Sequence, residues 1–432
     1  MKTTRPTENH ERVFLVGVGL KRAPHVPGVD AGEAERASLD ELAELARSAG
    51  ADVAGSIFQM RDRIDPATVI GRGKIEEVKI EAQLHKAPLI VFDRNLSPTQ
   101  LRNLEKGTDC RVIDRTQLIL DIFARHARSR EGQLQVELAQ LNYLLPRLAG
   151  SGKELSRLGG GIGTRGPGEQ KLETDRRRIR ERIAKISRSI EAIRKQRSLR
   201  RQTRQAVPLG TVALVGYTNA GKSTLFNSLS RAGVLVSSKM FATLDPTVRA
   251  VRLPSNRRVL LSDTVGFIRD LPPGLIAAFR ATLEEVQEAA LILNVTDVSS
   301  PHHAEQDAEV EKILKELGVA DRPRLHVLNK IDKLVPEELA ALDGNHNSAR
   351  VSGLTGEGLQ ALLRQIDEAM PVDPLLHLEF TLPLANGRAI ALVHSLGRVL
   401  RSEVKDSTMA IEAEVPESVA RQLRIGTESA AT

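Results

Sequence analysis

The chain has 432 residues, 62 Lys+Arg against 55 Asp+Glu for a net charge of +7, one cysteine, nine Phe, two Tyr and no Trp. That length suits about three domains with separate cores. The single cysteine excludes an internal disulfide or thiolate metal cluster, and the scarcity of aromatics disfavours a base-stacking single-strand binder. The first residues, MKTTRPTENHER, lack the apolar core of a signal peptide. No apolar run approaches the roughly 18 residues of a membrane span. The expectation is a soluble, cytoplasmic monomer without a membrane span or metal cluster, with Cys110 a buried apolar residue in a reducing compartment.

Residues 1–128 alternate strand and helix patterns. Strands are expected at 13–17, 51–58, 88–92 and 110–113, and helices at 33–49, 74–85 and 98–105. This alternation predicts a parallel sheet covered on both faces, an N-terminal α/β subdomain. Within it, Ile70-Gly-Arg-Gly-Lys74 opens a helix. It is either an ordinary glycine turn or an anion site at a helix N-terminus.

Residues 129–205 read as a helical hairpin. Leu134, Leu138, Leu141, Leu145 and Leu148 fall at spacings of 4, 3, 4, 3, and Ile179, Ile183, Ile186, Ile190 and Ile193 repeat them. Two such apolar stripes close in sequence predict antiparallel packing. Residues 150–168 hold eight glycines and form the expected tip loop. From 171 to 205 there are 14 Lys+Arg against 4 Asp+Glu, a net of +10, so the basic character belongs to the second arm. A charged helix face alone signals solvation. Here the balancing acids are mostly missing, which points to a polyanion met through phosphates and shape, as for folded RNA. Candidate contacts are Arg157, Arg165, Arg176, Arg177, Arg178 and Arg180.

Residues 206–370 return to strand–loop–helix. The apolar run at 211–215 leads into G-Y-T-N-A-G-K-S and a helix-forming stretch. That is the context of a phosphate-binding P-loop. Gly216, Tyr217, Thr218, Asn219, Ala220, Gly221, Lys222, Ser223 and Thr224 are its members. Lys222 supplies charge to the β/γ oxygens and Ser223 a hydroxyl ligand for Mg²⁺. Further signals follow in order. Phe241, Ala242, Thr243, Leu244 and Asp245 lie where a first switch loop belongs, with Thr243 the candidate second hydroxyl on Mg²⁺ and Thr247 the runner-up. Asp263, Thr264, Val265 and Gly266 form D-x-x-G: Asp263 holds Mg²⁺ through water and the Gly266 N–H senses the γ-phosphate. Asn329, Lys330, Ile331 and Asp332 form N-K-x-D, in which Asp332 accepts from guanine N1–H and the exocyclic amine. Adenine offers no such donor pair. Val351, Ser352 and Gly353 close the set, with a backbone N–H for guanine O6. Lys222, Thr243 and Gly266 are the expected catalytic groups. Residues 371–432, behind Pro371-Val-Asp-Pro374, read as a small α/β appendage with strands at 378–382 and 409–414 and helices at 389–400 and 417–423.

The chain resembles the HflX GTPases, translation-factor-related P-loop proteins. The most specific stretches are G-G-G-I-G-T-R-G-P-G-E at 159–169, L-E-T-D-R-R at 172–177, F-A-T-L-D-P-T at 241–247 and D-T-V-G-F at 263–267. The resemblance implies the same four parts: an α/β subdomain, a hairpin, a GTPase domain with a mostly parallel sheet and helices on both faces, and a variable C-terminal domain. It also implies binding of GTP and GDP, hydrolysis, and binding to the large ribosomal subunit (rRNA) with the hairpin tip toward the peptidyl-transferase region. Family members are associated with splitting or rescuing stalled ribosomes under stress, and the resemblance implies such a role here. Weak ATP hydrolysis by the N-terminal region is another implied trait, and no residue in 1–125 locates such a site.

One position departs from the small regulatory GTPases, which place glutamine directly after D-x-x-G. Phe267 stands there and cannot hydrogen-bond water, so intrinsic hydrolysis should be slow and partner-stimulated. Asn219 matches the P-loop Asn of GTPases that use K⁺, which makes K⁺ a candidate second cation. Two alternatives stay open: a GTP-gated adaptor for a protein partner, and an ATP-driven RNA remodeller, against which the N-K-x-D argues.

Overall fold

The computed structural model describes residues 11–21, 31–148, 167–204, 210–230, 240–241, 246–255, 257–269, 280–342, 347–370 and 375–423. Three sheets organise them.

The first comes from β1 (Arg12–Leu20), α1 (Ala31–Ser48), β2 (Asp52–Arg61), α2 (Arg72–Leu84), β3 (Leu89–Phe92), α3 (Pro98–Thr108), β4 (Arg111–Asp114) and α4 (Arg115–His126). Its strands are parallel in the order β2-β1-β3-β4. β1 is buried along nearly its whole length. A strand covered on both faces loses polar alternation, and this is why it reads as an unbroken apolar run. The stretch at 70–74 is the entry to α2, with Gly71 at the N-cap and its N–H donated to Gln59 Oε1. Cys110 is half-buried, not fully buried as expected, because it sits on the turn into β4 with Sγ against the Ala87 carbonyl.

The hairpin is α5 (Arg130–Arg147) and α6 (Pro167–Arg204). Leu134, Leu138 and Leu141 pack on Ile186, Ile190 and Ile193, and Arg182 reaches across to Glu137 at 2.6 Å. Leu145, Leu148, Ile179 and Ile183, nearer the tip, are half-buried. The second arm begins two residues earlier than expected because Pro167 suits a first helical turn, where its missing N–H costs nothing. Arg157 and Arg165 lie outside the described residues.

The second sheet is built from β5 (Thr211–Gly216), α7 (Lys222–Ser230), β6 (Thr247–Arg252), β7 (Arg258–Asp263), α8 (Arg280–Gln287), β8 (Leu291–Asp297), α9 (His303–Glu316), β9 (Arg324–Asn329), α10 (Pro336–Ala341), β10 (Ser348–Val351) and α11 (Leu359–Ala369). The order is β10-β9-β8-β5-β7-β6, with only β6 antiparallel to its neighbour. This is the α/β architecture with a mostly parallel sheet. All the motif-bearing loops except the first switch region leave the carboxyl ends of its strands, where open α/β sheets bind ligands.

The third sheet, β11-β13-β12, comes from β11 (Leu375–Pro383), α12 (Gly387–Leu396), β12 (Arg398–Lys405), β13 (Thr408–Pro416) and α13 (Glu417–Leu423). Here the sequence reading needs correction. The helix expected over 389–400 stops at Leu396 with Gly397 as C-cap, and the next residues form a strand. β12 is an edge strand exposed almost throughout, so burial leaves no alternation to read.

The first two sheets share a core. One buried cluster runs from Val13, Leu15, Leu42 and Phe123 to Tyr217, Phe241, Val265 and Phe267. Phe123 meets Phe241 edge to face with centroids 4.6 Å apart. A polar seam crosses the same junction. The Arg115 guanidinium lies 2.5 Å from Glu41 Oε2, Tyr217 donates its hydroxyl to Glu41 Oε1 at 2.5 Å, and Met240 N–H donates to Ser48 Oγ. Breaking a buried pair strands the remaining charge. Glu41→Ala is therefore expected to lower stability by about 3 kcal/mol, read as a fall in the urea midpoint, whereas Glu44→Ala on the same helix should stay near wild type.

Candidate functional site

The P-loop leaves β5 at Gly216 and closes on α7. Its backbone is bent by left-handed residues: Asn219 at φ +61 and Gly221 at φ +91. Gly221 also has no room for a side chain, since a Cβ there would stand 2.3 Å from Asn329 Nδ2. Asn329 is a crosslink. It donates Nδ2 to the Ala220 carbonyl at 2.8 Å and accepts at Oδ1 from the Gly353 N–H at 2.9 Å. One side chain thus holds three sequence-predicted loops together: the P-loop, N-K-x-D, and the segment of Val351, Ser352 and Gly353. Ser352 is buried and accepts from Thr355 N–H, and Ser228 of α7 donates to the Gly353 carbonyl. Lys330 adopts φ +68 and reaches Asp297 Oδ2 at 2.6 Å. Asp332 lies on a 3₁₀ turn, Ile331–Lys333, with Ile331 buried and Asp332 exposed. Asp332 makes no hydrogen bond or ion pair among the described residues, so its carboxylate is open to a ligand.

Lys222 is buried and donates Nζ to the Gly216 carbonyl at 3.0 Å and the Tyr217 carbonyl at 2.6 Å. Burial dominates its ionisation. Desolvation, opposed by Asp263 and assisted by Lys330, pushes its pKa down to about 8. β7 runs beside β5, with Leu214 opposite Asp263, which brings D-x-x-G against the P-loop. Ser223 donates Oγ to Asp263 Oδ2 at 2.7 Å, and Thr264 donates to the Leu214 carbonyl. A hydroxyl and a carboxylate within one hydrogen bond of each other fit a hard divalent cation such as Mg²⁺, the hydroxyl directly and the carboxylate through water. Gly266 is crowded: a Cβ there would lie 3.0 Å from each of Lys222 Nζ, Thr218 Cα and Thr218 Cγ2. Val265 is buried beside it, and Thr224 follows Ser223 on α7, half-buried.

The first switch region is brought in only at its edges. Ala242, Thr243, Leu244 and Asp245 lie outside the described residues. Phe241 turns into the shared core at φ +58, and Thr247 opens β6 opposite Asp263. The arginines of the second arm, Arg176, Arg177, Arg178 and Arg180, stand apart on α6. Each lies near an acid of its own arm, with Arg176 and Arg180 on Glu173, Arg177 on Glu181 and Arg178 on Asp175, at 3.0–3.9 Å.

Sequence reasoning missed the tie from the P-loop to the first sheet. The Tyr217 hydroxyl donates to Glu41 and accepts from the Arg269 N–H at 2.9 Å. Burial above all, then Glu41, pushes its pKa up, so the phenol remains a neutral donor. Nothing near Glu41 marks it in sequence; a phenol at this loop position was the available signal. Asp297, the Lys330 partner, was also missed, although it ends a strand as the recognised motifs do. Beside the loop lies a cavity of about 450 Å³ lined by Glu41 and Glu44 of α1, Thr218, Asn219, Arg269 and Glu305. Asn219 is exposed there and makes no hydrogen bond among the described residues. Among the described residues, no helix is long and apolar enough to cross a membrane, and no group of three or more His, Cys, Asp or Glu is placed to hold a metal ion.

Residues 36–124 match the family model described as GTP-binding GTPase N-terminal, 126–204 that of the GTP-binding GTPase middle region, and 211–330 that of the 50S ribosome-binding GTPase. The GTPase HflX of Caldanaerobacter subterraneus subsp. tengcongensis is 47% identical over 90% of this chain and 89% of its own. That of Escherichia coli (strain K12) is 41% identical over 88% and 89%. A GTP-binding protein from Sulfolobus solfataricus, crystallised with GDP, is 25% identical with a TM-score of 0.43, covering 83% of this chain and 98% of that one. A P-loop held to D-x-x-G, N-K-x-D and the segment of Ser352 and Gly353, in a sequence sharing more than two-fifths of its residues with the two HflX GTPases over most of its length, has one reading: the chain belongs to the HflX family of GTPases.

Proposed function

We propose that this chain is a slow, partner-stimulated GTPase that binds the large ribosomal subunit through rRNA contacts of α6 and acts on stalled or idle ribosomes, splitting or rescuing them under stress. The observation that carries the RNA reading is the charge state of the second arm. Its four acids, Glu173, Asp175, Glu181 and Glu191, are all taken by arginines of the same helix. Lys185, Arg188 and Lys195 stay exposed with no acid partner among the described residues. Surface ion pairs are weak, about 0.3–0.5 kcal/mol for the i,i+3 and i,i+4 pairs of Arg176, Arg177 and Arg178, so these arginines, and Arg180 on Glu173, can trade them for phosphates. The wider family context, including a domain model named for 50S binding, supports the ribosome as the source of that RNA.

In the nucleotide site, Asp332 is the acceptor for guanine, and Asn329 fixes the loops around it. Lys222 trades two loop carbonyls for phosphate oxygens. Ser223 and Thr243 would hold Mg²⁺ directly and Asp263 through water; the ion when bound neutralises the phosphate charge and orients the γ-phosphoryl group. Gly266 offers its N–H to the γ-phosphate. The exposed Asn219 amide supports K⁺ as a second cation beside the phosphates.

Three outcomes are expected. Co-sedimentation with large ribosomal subunits in a non-hydrolysable GTP analogue should fall by orders of magnitude between roughly 50 and 200 mM salt if six or more phosphates are contacted; a flat response would favour the protein-partner adaptor. GTP turnover should be faster in KCl than in NaCl at equal ionic strength, and equal rates would remove K⁺. Finally, phosphate meets a charged Lys222. In the free protein that charge is lost as pH rises through about 8. GDP affinity by fluorescence titration should then be flat below that pH and fall about tenfold per unit above it, with proton uptake on binding.

A further inference from the structure

Two features of the P-loop are left over by that scheme. Phe267 holds the position from which a side chain would orient the attacking water, and it is turned away. It is 3% exposed within the shared core, and its backbone is pinned on both sides: its N–H donates to the Gly216 carbonyl at 3.1 Å and its carbonyl accepts from the Thr218 N–H at 2.7 Å. With the backbone held in place, release of the side chain toward the phosphates would cost the burial of a phenyl ring.

The second feature is Thr218 itself. It is 6% exposed, and its Oγ1 is buried with no hydrogen-bond partner. An unpaired buried hydroxyl costs about 1–3 kcal/mol, a penalty that valine, its apolar isostere, would avoid. Such a group calls for a partner that binds with the substrate. Thr218 stands where that partner would be wanted. It lines the cavity at the P-loop, and its Cα and Cγ2 each lie 3.0 Å from the point a Cβ on Gly266 would occupy, the same distance as Lys222 Nζ. The D-x-x-G glycine, the phosphate-binding lysine and this threonine therefore converge on one spot. The methyl faces Gly266 here, and one rotamer step about χ1 brings the hydroxyl to the place of the methyl, which moves to that of Hβ.

We propose that the Thr218 hydroxyl is the water-positioning group of this GTPase, acting in the place that Phe267 leaves empty. The proposal rests on the GTP reading of the loop. The hydroxyl accepts a hydrogen bond from the attacking water and aims its lone pair in line with the γ-phosphorus. The water oxygen bonds to phosphorus as the bond to the β,γ-bridging oxygen breaks, and that oxygen leaves with the electron pair on GDP. The water proton passes to a γ-phosphate oxygen, giving inorganic phosphate. Thr218 holds the nucleophile and gains no net proton. Its role is geometric, which is what a group with no basicity at neutral pH can supply.

The test compares wild type, Thr218→Val and Thr218→Ser in single-turnover GTP hydrolysis, with GTP and GDP affinities measured in parallel. Thr218→Val should slow hydrolysis at least tenfold with both affinities unchanged, and Thr218→Ser should restore most of the lost rate. Hydrolysis by Thr218→Val at the wild-type rate, or an equal loss in Thr218→Ser, would overturn the assignment. A fall in affinity matching the fall in rate would do the same, by making Thr218 a loop-shaping residue. Failure of the wild type to bind GTP would be a different result, removing the reading of the loop and this role with it.

Discussion

The structure depends on one carboxylate. Glu41 stands between the Arg115 guanidinium and the Tyr217 hydroxyl, each at 2.5 Å, at a junction otherwise filled with apolar side chains. A charge at such a place is tolerated only when its lone pairs are used, and this one serves two sides. On one side it completes the N-terminal part of α4. On the other it fixes the second residue of a phosphate loop that could not otherwise know about the first sheet. Because Tyr217 also accepts from the Arg269 N–H, the same phenol holds the segment after D-x-x-G. Loop, switch segment and N-terminal sheet meet on a few atoms.

That junction explains the state of the site. Lys222 folds onto the carbonyls of its own loop, Ser223 bonds Asp263, and Gly266 crowds Lys222 and Thr218. Each of these contacts satisfies a group whose other partner would be a phosphate or a cation. Nucleotide entry is then an exchange of hydrogen bonds of similar strength, and the net preference is set by charge. The phosphates restore to Lys222 the favourable field that burial removes. Phe267 cannot take part, because its ring is part of the packing that joins the two sheets.

The parts of this arrangement that could be read from sequence are those written locally. The P-loop, D-x-x-G and N-K-x-D each demand fixed residue types at fixed spacing, and a strand buried on both faces must be apolar. The hairpin was legible because Leu134, Leu138 and Leu141 repeat at the spacing of their partners Ile186, Ile190 and Ile193. What stayed hidden depends on neighbours distant in the chain. Glu41 and Tyr217 are far apart in sequence and neither belongs to a repeating pattern. The unpaired Thr218 hydroxyl is a property of what fails to surround it. β12 escaped because an exposed edge strand has no buried face to imprint a period on its residues, and Gly397, which ends the preceding helix, looked like one more helix-interior residue.

The hairpin and the P-loop are joined by two consecutive residues. Asp114, fully buried at the end of β4, accepts from Tyr143 at 2.8 Å and Arg147 at 2.9 Å, and Arg147 stacks over the Tyr143 ring at 3.4 Å. That fastens α5 to the first sheet. Arg115, the next residue, holds Glu41 and through it Tyr217. On the other side, α6 runs to Arg204 and the chain enters β5 at Thr211, the strand that ends in the P-loop. The contacts run in one line from the hairpin to the phosphate loop: α5, Asp114, Arg115, Glu41 and Tyr217. A seam made of short, directional hydrogen bonds breaks over a small displacement where an apolar interface would slide. The polar composition of this junction, costly for stability alone, puts the anchor of the hairpin and the tie to the phosphate loop on consecutive residues, Asp114 and Arg115.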